Sequence, residues 1–243
     1  MKILLIDAGN SRIKWALAEN RVWSQQGVVE NARVTTLRTI FSELPAPHKI
    51  VVSNVAGQEM AQQLQMACAT WPLPLEFITA HAEKCGIRNS YQQAQQLGSD
   101  RWAALIAAWQ QEHTTCLVIN CGTATTIDAL SAQGEFLGGL ILPGVDMMQR
   151  SIAAGVVQAT TASGAWQAFP RNTADALFTG AIQATAGAIC LQFERLLAPQ
   201  ARCILSGGAA YKIEPHLNLP LVRVDNLVLR GLQIIGQEQK MGA

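Results

Sequence analysis

Charge is scarce in this chain. Only 14% of its 243 residues are Asp, Glu, Lys or Arg, while 49% are hydrophobic; an average soluble protein carries about 25% charged residues. A surface so poor in charge is expected to be covered in part by a second subunit or a ligand. The 18 Lys and Arg against 17 Asp and Glu leave a formal charge of +1. No basic run is long enough to track a phosphate backbone, so nucleic acid is not an expected partner. Long hydrophobic runs are missing too. Residues 3–6 are too few for a signal-peptide core of roughly 7–15 residues, and no uninterrupted run approaches the roughly 18 that cross a bilayer. The expectation is a cytoplasmic protein without a membrane partner. The six cysteines (Cys68, Cys85, Cys116, Cys121, Cys190, Cys203) include no C-x-x-C pair, and most have apolar neighbours, so neither a zinc site nor a disulfide framework is expected. His48, His81, His113 and His216 share no spacing, which gives no sign of histidine chemistry.

What is present is a repeat. Residues 4–17, LLIDAGNSRIKWAL, overlay residues 117–130, LVINCGTATTIDAL, without a gap. Leu4, Ile6, Gly9, Ala16 and Leu17 match Leu117, Ile119, Gly122, Ala129 and Leu130, and Asp7 faces Asn120. At about 100–150 residues per domain the length admits one large domain or two halves. The first half reads as three strands (2–6, 12–18, 21–29), a helix over 34–44, a strand over 49–54, a helix over 58–70 and a brief strand at 75–78. A polar, glutamine-rich lapse over 80–96 is a candidate substrate loop, followed by a helix over 100–111. The second half repeats the meander at 115–120, 125–130 and 135–142. It continues with a helix from Gly144 through Ala153, a long alanine-rich helix over 172–197 and a strand at 203–205 ending in Ser206-Gly207-Gly208. A strand at 221–224 and a helix from near Asn226 close it. The division is expected at 1–114 and 115–243.

Each half thus opens with a meander whose first turn is a small-residue loop. Glycine there lets a backbone approach a ligand closely, and Asn10, Ser11, Thr123 and Thr125 supply short donors suited to phosphate oxygens. Asp7, ending the first strand, suits Mg²⁺ held through waters, or merely forms the turn. Lys14 reads as a point charge for a phosphate or as an ordinary solvated lysine. Asp100 stands at the start of a helix, where a carboxylate also serves as a first-turn charge or cap.

Asp7-Ala8-Gly9-Asn10-Ser11, Gly122-Thr123-Ala124-Thr125-Thr126 and Ser206-Gly207-Gly208 together resemble the acetate kinase, sugar kinase, Hsp70 and actin superfamily, which implies an α/β fold of duplicated ribonuclease-H-like domains with ATP between them. Asn89-Ser90-Tyr91 leading to Leu97-Gly98-Ser99-Asp100-Arg101-Trp102 is similar to the motif N-x-Y-x-x-P-x-x-L-G-x-D-R-W of the type III pantothenate kinases, whose relatives include the Bvg accessory factor proteins. The resemblance extends over essentially the whole chain and covers Gly138-Gly139, Pro143-Gly144, Asn172-Thr173 and Asp225-Asn226-Leu227.

The resemblance implies ATP-dependent phosphorylation of pantothenate to 4'-phosphopantothenate, the first step toward coenzyme A. It makes Asp100 the base, and it places Tyr91, Gly98, Ser99, Arg101 and Thr173 with Asp100 at the substrate. Asp7, Gly9, Asn10, Ser11, Lys14, Gly122 and Thr123 fall to ATP and Mg²⁺, and Asp128 to an inward carboxylate near the phosphates, a buried structural hydrogen bond being its other reading. A homodimer is expected. The two alternatives are a kinase of the same fold for another small hydroxyl compound and a non-catalytic binding protein of the Bvg accessory factor type. Two positions depart from the pattern. Ala94 stands for the motif's proline, and Asn120 stands where the family places an aspartate as a ligand for a monovalent cation (K⁺ or NH₄⁺), for which an uncharged amide is a poorer partner.

Overall fold

The computed structural model describes residues 1–155 and 164–238. The chain divides into two compact units, Met1–Glu112 with Asn226–Ala243, and His113–Asp225.

In the first unit β1 (Lys2–Ala8), β2 (Arg12–Glu19) and β3 (Val22–Glu30) form the expected meander. A short 3-10 segment, α1 (Leu37–Ser42), β4 (Lys49–Asn54), α2 (Gln58–Ala67) and β5 (Leu75–Phe77) follow. The sheet order is β3-β2-β1-β4-β5, with β1 antiparallel to β2 and parallel to β4. The parallel step needs a crossover, which the segment with α1 provides. β1 is covered on both faces, so its Ile3, Leu4, Leu5 and Ile6 are all buried, as a near-continuous apolar strand requires. Leu4 and Ile6 join Ile13, Trp15, Phe41, Leu64 and Trp71 in one core, where Trp15 meets Phe41 edge-on at 5.7 Å.

The polar stretch expected as a plain loop contains a small hairpin, β6 (Glu83–Lys84) with β7 (Ile87–Asn89), and a 3-10 turn at Ala94–Gln96. Its anchors are the buried Ala80, Ile87 and Leu97, three apolar side chains too sparse to show as a periodic pattern. α3 (Ser99–Glu112) follows, buried on nearly every side.

The second unit is built from β8 (Cys116–Cys121), β9 (Ala124–Leu130), β10 (Glu135–Pro143), α4 (Val145–Gly155), α5 (Thr173–Arg195), β11 (Arg202–Ser206), α6 (Ala210–Ile213) and β12 (Leu221–Arg223). Its strands run β10-β9-β8-β11-β12, with β8 antiparallel to β9 and parallel to β11. This is the order and polarity of the first unit again, so the chain is a duplicated ribonuclease-H-like α/β protein. The gap-free overlay holds only for the first strand of each repeat. Asp7 faces Lys14 and Ala8 faces Ile13, whereas Asn120 faces Thr126 and Cys121 faces Thr125. The second turn is one residue shorter, and Ala16 corresponds in the sheet to Asp128 rather than to Ala129.

The chain ends in α7 (Leu227–Gln237). The sequence division assigned this helix to the second half; it packs in the first unit. Gly231 lies so close to the Ala103 backbone of α3 that a Cβ would overlap it, Gly236 sits against Ile3 and Val51, Trp23 Nε1 donates to Gln233 Oε1 at 2.9 Å, and Lys84 pairs with Glu238 at 2.6 Å. Hydropathy marks a helix as apolar without saying which sheet it covers.

α5 is long and apolar enough by length and composition to cross a membrane. The uninterrupted-run criterion passed over it because Thr, Gly and Gln break the apolar run while adding no charge. Its N-terminus is capped as Asn172 Oδ1 accepts from Asp175 N at 2.9 Å and Asn172 Nδ2 donates to Asp175 Oδ2 at 2.7 Å. None of the six cysteines is in a disulfide, and burial pushes the Cys68, Cys121 and Cys203 thiols up to about 12, as for small core hydrophobes.

Candidate active site

In the first unit the sheet gathers its polar residues where β1, β2 and β4 meet. Asp7 is paired across β1–β2 with Lys14 and across β1–β4 with Ser53. The turn that follows is closed by Gly9 N donating to Arg12 O at 3.1 Å. Asn31 ties it down, donating from Nδ2 to Gly9 O at 2.9 Å and from its backbone N–H to Ser11 O at 3.1 Å. Asn10 and Ser11 are left at the exposed tip of this fixed loop.

The motif residues far apart in sequence come together at α3. Asn89 Oδ1 accepts from Tyr91 N at 3.1 Å and Asn89 Nδ2 donates to Ala94 O at 3.1 Å. The loop is thus closed through a backbone carbonyl at Ala94, which a non-proline residue supplies equally well. Arg101, 5% exposed, donates from Nη1 to Tyr91 Oη at 3.0 Å and lies 5.8 Å from the ring centroid. Asp100 Oδ1 accepts from the Arg101 backbone N–H at 2.8 Å. A Cβ at Gly98 would stand 2.6 Å from that same oxygen, so glycine leaves the room in which the carboxylate folds back onto its helix.

Asp7 and Asp100 are electrostatically coupled. Burial pushes Asp7 up to about 7, the Asp100 charge pushes the same way, and Lys14 opposes both. Asp100 is also raised, chiefly by burial, against the pull of the Arg101 N–H and guanidinium. Two partly buried carboxylates, one cation in register and one fixed guanidinium form a place where negative charge is held at a cost.

Two residues of this site were not singled out from the sequence. One is Asn31. The other is Ser53, fully buried, whose Oγ lies 2.9 Å from Ser99 Oγ. The available signal is a small polar residue directly after the apolar run Ile50-Val51-Val52 of β4.

In the second unit three glycine turns converge at the end of β8. Gly122 N donates to Ala124 O at 2.9 Å, closing the Gly122-Thr123 turn, and Gly144 N donates to Thr123 O at 2.9 Å. Gly207, at φ +101°, packs against the Cys121 backbone where a Cβ would overlap it, and Ala209 N donates to Cys121 O at 2.9 Å. Asn120 is half-buried, facing Thr126 on β9 and Ser206 on β11. Asp128 lies inside β9 opposite Val118 and Gly139, 1% exposed. Thr173 is exposed as the first residue of α5. Gly138, at φ +129°, serves a bulge in the β9–β10 pairing.

Among the described residues no group of three or more His, Cys, Asp or Glu forms a metal cage. Mg²⁺ keeps its waters and binds through one or two carboxylates and substrate phosphates. The partly buried Asp7 carboxyl, opposed by the Lys14 charge, is a hard oxygen donor of the kind such an ion takes.

Comparison with known proteins bears on the fold and the family. Among solved structures, a Baf family transcriptional activator from Campylobacter jejuni aligns with a TM-score of 0.63 at 22% identity, over 96% of this chain and 98% of that one. The ethanolamine utilization protein EutJ from Carboxydothermus hydrogenoformans aligns with a TM-score of 0.57 at 12% identity, over 96% and 89%. At those identities the likeness is one of fold. The sequence relatives are nearer. The type III pantothenate kinase of Aromatoleum aromaticum is 46% identical over 97% of this chain and 98% of its own length, and that of Nitrosospira multiformis 44% identical over 97% and 91%. The sequence profile of the type III pantothenate kinases matches residues 3–195, and the chain belongs to that family.

Proposed function

We propose that this chain transfers the γ-phosphoryl group of ATP to the primary hydroxyl of pantothenate, giving 4'-phosphopantothenate, the first step of coenzyme A biosynthesis, and that it acts in the cytoplasm. The observation that carries the reading is the coupled Asp7–Asp100 pair, set beside Lys14 and an Arg101 fixed by Tyr91. Phosphoryl transfer asks the protein mainly for positioning and charge stabilisation, and each of these groups has a place in it. Mg²⁺, when bound, neutralises developing charge on the phosphate oxygens. Asp7 would hold that ion. Gly9, Asn10 and Ser11 in the first unit and Gly122 and Thr123 in the second present backbone and hydroxyl donors to phosphate. Lys14 supplies a cation in register with Asp7. Asp100 orients the substrate hydroxyl and takes its proton. Arg101 pairs with the substrate carboxylate, as a guanidinium fork does, and Tyr91, Gly98, Ser99 and Thr173 shape the surroundings of the substrate. Asp128, closed inside its sheet, keeps its structural reading. A coupled ADP-release assay with pantothenate and a panel of other alcohols tests the proposal; pantothenate-independent release, or preference for another alcohol, overturns it.

Asn120 leads to an expectation about monovalent cations. Its amide carries no charge to attract one, so rates in sodium, potassium and choline buffers are expected to agree within about twofold, since a neutral ligand loses the Coulomb attraction a carboxylate supplies. A strict potassium requirement would mean that other groups complete the cation site.

We also propose a two-fold homodimer whose interface helps to build the pantothenate pocket. Leu137 and Ile141 of β10, Met147 and Ile152 of α4 and Leu191 of α5 are all exposed, and α5 carries small side chains that let another helix approach closely. The loop of one subunit would then meet Thr173 of the other. Dilution into monomer is expected to weaken pantothenate binding by about tenfold or more, through loss of contacts worth at least about 1.4 kcal/mol, and ATP binding by much less. Light scattering across concentration, run beside substrate titrations, reads both; a monomer with full pantothenate affinity would exclude the shared pocket.

A further inference from the structure

Ser53 holds no charge and touches no solvent, yet it stands at the centre of the first unit's polar cluster. Its register partner on β1 is Asp7. Neighbouring strands run about 4.8 Å apart with registered side chains on the same face, so Ser53 and Asp7 share one face of the sheet. The Ser53 hydroxyl is fully buried and 2.9 Å from the hydroxyl of Ser99, itself 9% exposed. Ser99 is the first residue of α3, and Asp100 is the next. The chain of contacts therefore runs from Asp7, across one strand pair to Ser53, through one hydrogen bond to Ser99, and through one peptide to Asp100.

We infer that Ser53 is a positioning residue that sets the separation of Asp7 and Asp100 by fixing the first turn of α3 to β4. The far part of α3 is held independently, where Gly231 of α7 meets the Ala103 backbone. Its first turn has local bonds of its own, Trp102 N to Gly98 O at 2.9 Å and Arg101 N to Asp100 Oδ1 at 2.8 Å. Both are internal to the 98–102 segment, and the Arg101–Tyr91 bond runs to the loop and not to the sheet. The Ser53–Ser99 bond runs to the sheet. Catalytic groups misplaced by about 1 Å cost about 100-fold in rate, so a single buried hydroxyl pair at this point is a lever on turnover. The bond also gives Ser99 a role other than the substrate contact expected of it.

The inference rests on the kinase reading for its kinetic consequences, and the test separates the two. Ser53→Ala is expected to lower kcat about 10–100-fold while KM for ATP and for pantothenate stays within about twofold, since the residue touches neither. Ser99→Ala removes the same bond from its other end and stands in if Ser53→Ala does not fold, with only its kcat and Trp102 exchange read, because Ser99 is itself placed beside the substrate. The double variant is expected to be no slower than the slower single, because both changes remove one interaction. Amide hydrogen exchange supplies a readout that needs no substrate: in Ser53→Ala the Trp102 amide is expected to exchange at least about tenfold faster than in wild type, with Ala104–Ala108 unchanged. A wild-type protein inactive on pantothenate would overturn the functional reading, while faster Trp102 exchange would still uphold the tether. Unchanged exchange at Trp102, additive losses in the double variant, or a rise in pantothenate KM in place of a fall in kcat would each overturn the tether.

Discussion

Asp100→Asn is expected to reduce turnover by roughly 10²–10⁴, the scale of a positioned general base, and to leave the fold in place. The reason lies in how the carboxylate is held. Asp100 Oδ1 accepts from the Arg101 backbone N–H at 2.8 Å, and an asparagine side-chain oxygen accepts that same bond. That bond is the helix-start role of Asp100; the base is the role proposed for it, and this substitution is expected to remove only the second. Circular dichroism should match wild type, and the melting temperature at neutral pH should equal or exceed it, because the substitution also removes a carboxyl whose charge burial penalises. KM for ATP should hardly move, because Asp100 is assigned to the acceptor and not to the nucleotide. Asp100→Ala deletes both functions and should lose stability as well, by about 1 kcal/mol, as the loss of a helix-terminal side-chain bond does. Turnover of Asp100→Asn within twofold of wild type would leave the cap as the residue's whole role.

What could be read from the sequence here divides along a physical line. Elements whose pattern is local were legible: β4 was read as Lys49–Asn54 with its observed bounds, and the meander of each unit was found in place. The repeat was legible because its first strand and glycine turn recur at fixed spacing. Features set by pairing between distant segments were not. The one-residue slip that places Asp128 opposite Val118 depends on the length of the 122–124 turn, which a gap-free overlay hides. The return of α7 to the first unit depends on Gly231 meeting Ala103, two residues with no sequence signature for each other. The site shows the same split. Asp7, Asp100 and Arg101 are visible as motif residues because their chemistry names them. Ser53 is bonded to a residue 46 positions away, and Asn31 to Gly9, 22 positions away, and to Ser11; a serine or an asparagine in isolation says nothing of that.

Asp7→Asn is expected to abolish most activity and, at the same time, to make the protein more stable. The loss should reach roughly 10²–10³-fold, because the change removes the only carboxylate assigned to Mg²⁺ and metal charge stabilisation is worth several kcal/mol. The gain follows from burial. The Asp7 carboxyl is pushed from 3.8 up to about 7, first by desolvation, then by the Asp100 charge, with Lys14 opposing. A group that holds its proton more tightly when folded penalises the folded state as pH rises. Near pH 3.8 and below, both states are protonated and the penalty is absent. Between 3.8 and about 7 the unfolded chain has lost the proton that the folded chain keeps, so stability falls with increasing pH. Above about 7 the whole penalty is present, at most about 4 kcal/mol for a shift of about three units. Asparagine has no proton to lose and escapes it. The difference in melting temperature, variant minus wild type, should therefore be near zero at about pH 4, climb through the neutral range and level off at roughly 5–10 °C above about pH 7.5. Thermal melts without nucleotide or metal, taken from about pH 4 to about pH 9, measure it directly, and contributions common to both proteins cancel in the difference. Adding Mg²⁺ and ATP should close the gap at high pH, since a cation on Asp7 relieves in wild type what the substitution removes. A difference that stays flat across that range would mean that Asp7 is ionised without cost, and the strain that fits it to a metal would be absent.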